Sequence, residues 1–235
     1  LEVTPETSLL ACQSKTDAIL EKTGKTFTVN GNAVASELTP GILTPVPKAG
    51  AGSAIKGSVE FSGRADGYLY ISEENDFDLG ADDFTIEYWY NEGNDDRSER
   101  RTLYMRNRAD SSPQQWLIGH TNDNSGRIFF QAFDSSGNTV GGSAVTSADA
   151  SNPTGKRNYW RHLAVVRNGT TVTIYLDGVA SGSLSYGTTA IRGDQNDLYI
   201  GYDPASTGRN FRGFLSNIRI VKGTALYTDD FIPPT

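Results

Sequence analysis

The sequence is poor in cysteine and histidine, and this scarcity excludes several architectures. Cys12 is the one cysteine among 235 residues, so no intramolecular disulfide can form. The two histidines, His120 and His162, cannot supply a zinc site rich in histidine and cysteine. Unbroken apolar runs, such as residues 9–12, are about four residues long, whereas a membrane-spanning helix needs roughly 18 or more. Disulfide scaffolds, zinc scaffolds and helical membrane spans are therefore excluded.

The sequence also has fewer basic than acidic residues. Lys plus Arg number 21 against 28 Asp plus Glu, which gives a net charge of −7. Nucleic acids and anionic membrane surfaces are bound by basic patches, because the protein must displace counterions or face negative lipid. The charge balance therefore argues against both partners.

Short alternating segments dominate what remains. From residue 56 onward, apolar and polar residues alternate over short stretches that are separated by clusters of Gly, Asn, Asp and Ser, a pattern typical of half-buried strands. Helix-forming composition is confined to residues 17–22, too short a run to be helical without packing. The sequence predicts an all-β chain with strands at 8–13, 26–30, 58–61, 68–72, 84–90, 101–106, 115–120, 127–133, 160–167, 171–176, 198–202 and 214–221.

Turn residues support this interpretation. Asn168-Gly169 separates two β-branched runs and Asp177-Gly178 follows the second, and such pairs favour type I′ hairpin turns, in which both central residues have positive φ. Residues 135–138 predict another hairpin turn.

One internal boundary is visible, at residues 39–54, where Pro40, Pro45 and Pro47 precede two glycines. It is either a linker or a long connection within one fold. Because residues 1–38 have few large apolar side chains, they could not form a core alone. We therefore predict a single domain over 1–235, in which residues 1–38 add strands to a body at 55–235. The chain begins with Leu1 rather than Met, which suggests a piece of a longer protein.

Several motifs occur in an order that resembles a known superfamily. They are FTIEYW at 84–89, WRHLAVV at 160–166, VTIYLDG at 172–178, LYIG at 198–201 and FLSNIRI at 214–220. This order is similar to the laminin-G/pentraxin-like branch of the concanavalin A-like lectin and glucanase fold. The resemblance implies a jelly-roll sandwich of two antiparallel sheets, and many short strands without helical crossovers favour a sandwich or barrel independently. It also implies that Trp89 and Trp160 are core residues and that His162 is a hydrogen-bonded structural residue.

The segments that flank these motifs resemble a narrower group of domains within the superfamily. The tail IRIVKGTALYT at 218–228 and the opening segments LLACQ and TFTVNG resemble versions of this domain in virion and fibre proteins of tailed bacteriophages. That likeness implies a non-enzymatic module on a virion surface, whose partners are other virion subunits, a homotrimeric assembly and a host-surface glycan. A purely structural virion assembly domain without a ligand is the first alternative.

A degenerate glycan hydrolase is the second alternative. The glucanase branch of this fold uses an E-x-D-x-E pattern, in which carboxylates alternate on one strand face. Glu74, Asp76 and Asp78 imitate it, but the last position is Asp and an exposed turn follows. Cys12 has no histidine near it in sequence, and no Ser lies in a Gly-x-Ser-x-Gly turn. We predict no catalytic residues.

Calcium is the cofactor that the loops favour, since Asp, Asn and carbonyl oxygens are its ligands. The resemblance implies calcium ligands after the strand at 103–106 and after LYIG, which points to Asp110 and Asp203. An ordinary Asx turn is the alternative at these positions.

Carbohydrate binding needs exposed aromatic rings beside polar groups, because sugars offer apolar faces and directional hydroxyls. The candidates with Asn and Asp neighbours are Tyr104, Trp116, Tyr186 and Tyr202. Trp116 is either exposed or part of the core, and packing in the core or at the rim is the favoured alternative for the three tyrosines.

Overall fold

The structure is a computed structural model and describes most of the chain. The residues outside the description are 2, 41–56, 73–74, 94–98, 107–113, 122–126, 148–158, 194–196, 207 and 235, and residues 99–101 and 104–106 are described for their backbone. Within the described part, no helix is long and apolar enough to cross a membrane.

The described residues form fifteen strands and two one-turn 3₁₀ helices, at Asn75–Phe77 and Val140–Gly142. The strands are β1 Thr7–Ala11, β2 Thr28–Gly31, β3 Val34–Ser36, β4 Ser58–Ser62, β5 Gly67–Ile71, β6 Phe84–Glu92, β7 Glu99–Arg106, β8 Trp116–Thr121, β9 Ile128–Ala132, β10 Val145–Thr146, β11 Trp160–Asn168, β12 Thr171–Leu176, β13 Val179–Ser185, β14 Asp197–Ile200 and β15 Arg212–Lys222.

Two antiparallel sheets make up the fold. The eight-stranded sheet has the order β13-β12-β11-β6-β15-β4-β3, with β1 also paired to β15. The seven-stranded sheet has the order β10-β9-β8-β7-β14-β5-β2. The predicted all-β jelly-roll sandwich is confirmed. Strands β1, β2 and β3 of the first 38 residues pair with β15, β5 and β4, whereas the connection predicted at 39–54 lies mostly outside the described residues.

The main core lies between the sheets and comes from alternate residues of each strand. In β6, Ile86 and Tyr88 point inward, and in β8 Trp116 and Ile118 do the same. The Trp116 indole is fully buried, and its Nε1 donates a hydrogen bond to the Phe77 carbonyl at 3.1 Å. This bond satisfies the one polar atom of that side chain and stabilises it inside the core.

All twelve predicted strands are present, with ends shifted by a few residues. Three strands were missed: Val34–Ser36, Val145–Thr146 and Val179–Ser185. The first two are very short. The third has the sequence VASGSLS and exposes most of its side chains, so its apolar alternation is weak.

Both predicted hairpins on β12 form, but one turn differs from the prediction. Leu176 pairs with Val179, and Asp177 and Gly178 have φ values of 52° and 82°, as a type I′ turn requires. At the other end Asn168 itself pairs with Thr171, so Gly169 and the residue after it form the turn. Gly169, with φ 58°, is then the first central residue, an arrangement that favours type II′.

The prediction that Trp89 and Trp160 belong to the main core is wrong. Both lie half-buried on the outer face of the eight-stranded sheet. Trp89 Nε1 donates a hydrogen bond to the Pro234 carbonyl at 3.0 Å, and the Trp160 ring lies 6.4 Å from that of Phe214. The prediction failed because these strands carry apolar residues on both faces.

The close contact between Gly201 and Phe61 gives a test of the packing described for the core. Its φ is 79°, and an added Cβ would lie 2.3 Å from a ring carbon of Phe61. Gly169, with φ 58°, has nothing within 4 Å of such a Cβ. We expect Gly201→Ala to lower the free energy of unfolding by about 1–3 kcal/mol more than Gly169→Ala, since overpacking adds to backbone strain. Urea unfolding of both variants measures the difference, and equal losses would contradict the packing described for Phe61.

Candidate functional site

Four tyrosines lie together on the outer face of the seven-stranded sheet. In β5, Leu69 and Ile71 point into the core, so the alternate residues Tyr68 and Tyr70 point outward. The same alternation in β14 turns Tyr199 outward beside them. Tyr202 follows β14 and joins the same cluster. We call Tyr68, Tyr70, Tyr199 and Tyr202 the tyrosine face.

The rings of the tyrosine face contact one another. Tyr68 and Tyr202 are stacked, with centroids 4.1 Å apart and planes at 11°. Tyr70 and Tyr199 are also near-parallel, at 6.0 Å and 26°. Tyr199 is 7% exposed, whereas the other three are half-buried. The cluster therefore presents parts of three rings to solvent over a floor formed by the fourth.

Two side-chain hydrogen bonds hold the hydroxyl groups of Tyr68 and Tyr199. Asn30 Nδ2 donates to the Tyr68 hydroxyl at 2.7 Å, and the Tyr199 hydroxyl donates to Asp197 Oδ2 at 3.0 Å. Asp197 is 1% exposed. Because the rings are held before any ligand arrives, little side-chain entropy would be lost on binding. Aromatic faces, hydroxyls, an amide and a carboxylate thus occur side by side.

The opposite outer face of the sandwich is covered by the end of the chain. Residues 224–234, which we call the C-terminal strap, lie across the eight-stranded sheet. Strap residues Ala225, Tyr227 and Phe231 pack against the strand residues Ala164, Val166 and Tyr175. Hydrogen bonds from Phe231 N to the Gly178 carbonyl, at 2.8 Å, and from Ala180 N to Asp230 Oδ1, at 2.9 Å, hold the strap to the β12–β13 hairpin.

A buried carboxylate anchors this strap. Glu87 of β6 is fully buried, and its Oε2 accepts hydrogen bonds from His162 Nε2 at 3.0 Å and from the Tyr227 hydroxyl at 2.9 Å. Its Oε1 accepts from Arg219 Nε at 2.6 Å. Burial alone would raise the pKa of Glu87, but the His162 hydrogen bond and the Arg219 charge outweigh it and lower that pKa. The prediction of a structural, hydrogen-bonded His162 is confirmed.

A sequence profile of the concanavalin A-like lectin/glucanases superfamily matches residues 61–229, which is more than half of the chain. The chain belongs to this superfamily. A comparison with curated proteins found no match.

Solved structures of this superfamily's fold resemble the chain at low sequence identity. The binding domain of Paraclostridial Mosquitocidal Protein 1 is 14% identical, with a TM-score of 0.66 over 94% of this chain and 50% of that one. The botulinum neurotoxin serotype G binding domain is 12% identical, with a TM-score of 0.66 over 93% and 48%. The chain therefore spans about half the length of these toxin domains.

A smaller relative matches over nearly its whole length. Domain 4 of AbnA, a GH43 extracellular arabinanase from Geobacillus stearothermophilus, solved with arabinotriose, is 15% identical. Its TM-score is 0.59 over 94% of this chain and 95% of that one. At these identities the likeness shows the shared fold.

Within this superfamily fold, the predicted sugar-binding residues fall into separate places. Tyr202 belongs to the tyrosine face, and Tyr104 of β7 pairs with Tyr199. Trp116 and Tyr186 take the alternative placement, in the core, and are not exposed stacking residues. Trp116 is 0% exposed, because its parity in β8 matches that of the inward-pointing Ile118. Tyr186 is 2% exposed and stacks on Phe130 at 6.1 Å.

Three residues of the tyrosine face, Tyr68, Tyr70 and Tyr199, were missed. Their strands had been predicted. The available signal was the Tyr-x-Tyr repeat of β5, together with a tyrosine in β14, the strand that pairs with β5 in the sheet. Leucine and isoleucine alternate with these tyrosines, so sequence alone left open which set faces outward.

The predicted calcium ligands are only partly within the described structure. Asp110 lies outside it. Asp203 is 1% exposed, and its Oδ1 accepts a hydrogen bond from Ala205 N at 2.8 Å, which is the Asx-turn geometry. Among the described residues, no group of three or more His, Cys, Asp and Glu could hold a metal ion. Calcium at Asp110 and Asp203 stays a prediction.

The segment that imitates the glucanase carboxylate pattern is not a strand where it is described. Glu74 lies outside the described residues, and Asn75–Phe77 form a 3₁₀ helix. Asp76 forms an ion pair with Lys25, and Asp78 Oδ1 accepts from Gln115 Nε2 at 2.7 Å. The alternating strand face that this hydrolysis requires is therefore missing from 75–78.

The thiol is equally unsuited to attack. Cys12 is fully buried just after β1, and burial raises its pKa to about 12. The thiolate is the nucleophilic form of cysteine, and the raised pKa keeps this thiol protonated at neutral pH. Cys12 is therefore a core residue.

The Glu87 anchor predicts a specific acid dependence of stability. Because the pKa of Glu87 is lowered from the ordinary value of 4.5 by folding, its contribution is complete above that value and is lost as the pH falls through the folded pKa. We expect Glu87→Gln to lower the free energy of unfolding at neutral pH by about 3–5 kcal/mol, because the buried His162 and the Arg219 guanidinium lose their carboxylate partner, and to flatten the acid dependence.

Urea unfolding from neutral to acidic pH measures both effects. Glu60→Gln is the matched control, since Glu60 is an exposed glutamate of β4. If wild type and Glu87→Gln lost stability in parallel on acidification, the Glu87 anchor would be refuted.

Proposed function

We propose that the chain is a non-enzymatic carbohydrate-binding module whose contact surface is the tyrosine face. The observation that carries the proposal is the array of Tyr68, Tyr70, Tyr199 and Tyr202, in which partly exposed rings are fixed by each other and by Asn30 and Asp197. Sugar rings carry apolar C–H faces that stack on aromatic rings and hydroxyls that need directional partners. The tyrosine face supplies both.

The relatives support this proposal. The arabinanase domain that matches this chain along almost its whole length was solved with a bound oligosaccharide, arabinotriose. The toxin structures are described as binding domains. Hydrolysis is less well supported, because 75–77 form a 3₁₀ helix and Asp76 and Asp78 have partners within the fold. The glycan-hydrolase alternative therefore has less support than binding.

For biological setting, we propose a virion surface, where the chain serves as a fibre, spike or capsid-decorating module. The support is the resemblance of the opening segments and of the tail at 218–228 to virion and fibre proteins of tailed bacteriophages. Other virion subunits, including copies of this chain in a homotrimer, and a host-surface glycan are the proposed partners. The competing proposal is a structural assembly domain that binds no ligand.

Tyr202 is the residue that tests the carbohydrate proposal. We expect the wild-type protein to bind at least one oligosaccharide saturably on a glycan array. Tyr202→Ala should weaken that binding about tenfold or more, since each tenfold corresponds to about 1.4 kcal/mol and the change removes a stacking ring. Tyr202→Phe keeps the ring and should retain most of the affinity. Titration calorimetry of the best glycan measures the loss.

Tyr159→Ala is the control, because Tyr159 is a 56% exposed tyrosine outside the cluster. Thermal unfolding of each variant checks that the fold is retained. Repeating the array with calcium and with a chelator tests the calcium prediction. Silence toward all glycans would favour the structural assembly domain, and equal binding by Tyr202→Ala would remove the tyrosine face from the proposal.

A further inference from the structure

A groove of about 230 Å³ lies beside the C-terminal strap, on the opposite side of the sandwich from the tyrosine face. We call it the strap groove. Its floor is formed by Val166 and Tyr175, which are 1% and 4% exposed. Its remaining lining comes from Asn168, Thr171 and Thr173 of the β11–β12 hairpin and from Tyr227 and Thr228 of the strap.

The wall that the strap contributes is fixed in place. The Tyr227 ring stacks on Phe231 at 3.5 Å with planes at 6°, and its hydroxyl donates to Glu87 Oε2. The Tyr175 ring lies 5.5 Å from Phe231. Because Glu87 is itself held by His162 and Arg219, the groove is formed before any ligand binds. Preformed walls lower the entropic cost of binding.

The lining selects for an uncharged, hydroxyl-rich ligand. None of the described lining side chains carries a charge, while three threonine hydroxyls and one amide can donate and accept hydrogen bonds. The hydroxyl of Thr228 in the lining donates to Asp229 Oδ2 at 3.4 Å. This neighbouring carboxylate disfavours ligands that carry a carboxylate or a phosphate. The volume is below the roughly 300 Å³ of ordinary ligand pockets, which suits a single sugar ring.

We propose that the strap groove is a second carbohydrate-binding site, which takes one neutral monosaccharide unit. This site is separate from the tyrosine face and does not depend on it. A module with recognition surfaces on both outer faces could hold two branches or two chains of a glycan, and weak sites combined in this way give avidity.

Threonine methyl groups provide the test. Protein with 13C-labelled threonine methyls is titrated with L-arabinose, D-galactose and N-acetylglucosamine as neutral probes and with N-acetylneuraminic acid as the anionic probe. We expect at least one neutral sugar to move the methyl resonances of Thr171, Thr173 and Thr228 saturably, with the millimolar affinity usual for so small a ligand. N-acetylneuraminic acid should leave them unmoved.

Variants test whether the shifts of the methyl resonances arise from binding in the strap groove. Thr173→Arg fills the groove and should abolish the shifts at Thr171 and Thr228, whereas Val179→Arg, at a 56% exposed β13 position outside the lining, should retain them. Tyr202→Ala should also retain them, so failure of the tyrosine face and failure of the groove are distinguishable. Absence of shifts with all neutral sugars, equal shifts with the anionic sugar, or shifts that persist in Thr173→Arg would each overturn the proposal.

Discussion

The arrangement of the outer face of the eight-stranded sheet depends on one buried carboxylate. Glu87 projects from the outer side of β6, where it would be solvated if nothing covered it. Instead it is fully buried, and burying a charge without partners costs several kcal/mol. His162, Arg219 and Tyr227 supply the compensating donors, and one of the three belongs to the strap. The carboxylate therefore both requires the strap and holds it in place.

This constraint makes the two sides of the sandwich chemically different. On the eight-stranded sheet, Phe231 and Tyr227 occupy part of the outer face, and the small strap groove lies beside them. On the seven-stranded sheet, Tyr68, Tyr70 and Tyr202 remain partly exposed. The same jelly roll thus has one face partly covered by its own chain and one face that presents aromatic rings.

Sequence reasoning predicted the fold well and the site in part, for a reason specific to strands. Alternation and turn residues located strands and hairpins, because a period of two and a positive φ are local properties. Which alternate residues of a strand face the core was not a local property. Both sets of alternating residues are apolar in Tyr68-Leu69-Tyr70-Ile71 and in Trp116-Leu117-Ile118. Which set faces the core is decided by packing between sheets. The prediction therefore left Trp116 open between the surface and the core, and it missed Tyr68.

Hydrogen bonds hold the Trp116 indole in the core and the rings of the tyrosine face on the outer surface. The Trp116 indole has a single donor, and the Phe77 carbonyl satisfies it inside the core. A tyrosine carries its hydroxyl at the far end of the ring, so Tyr68 and Tyr199 reach Asn30 and Asp197 while their ring bodies rest on the sheet. Rings tethered at their tips keep a fixed orientation although they are not enclosed. The order of the tyrosine face thus arises from hydrogen bonds and mutual stacking, and a ligand can reach it without unfolding any part of the core.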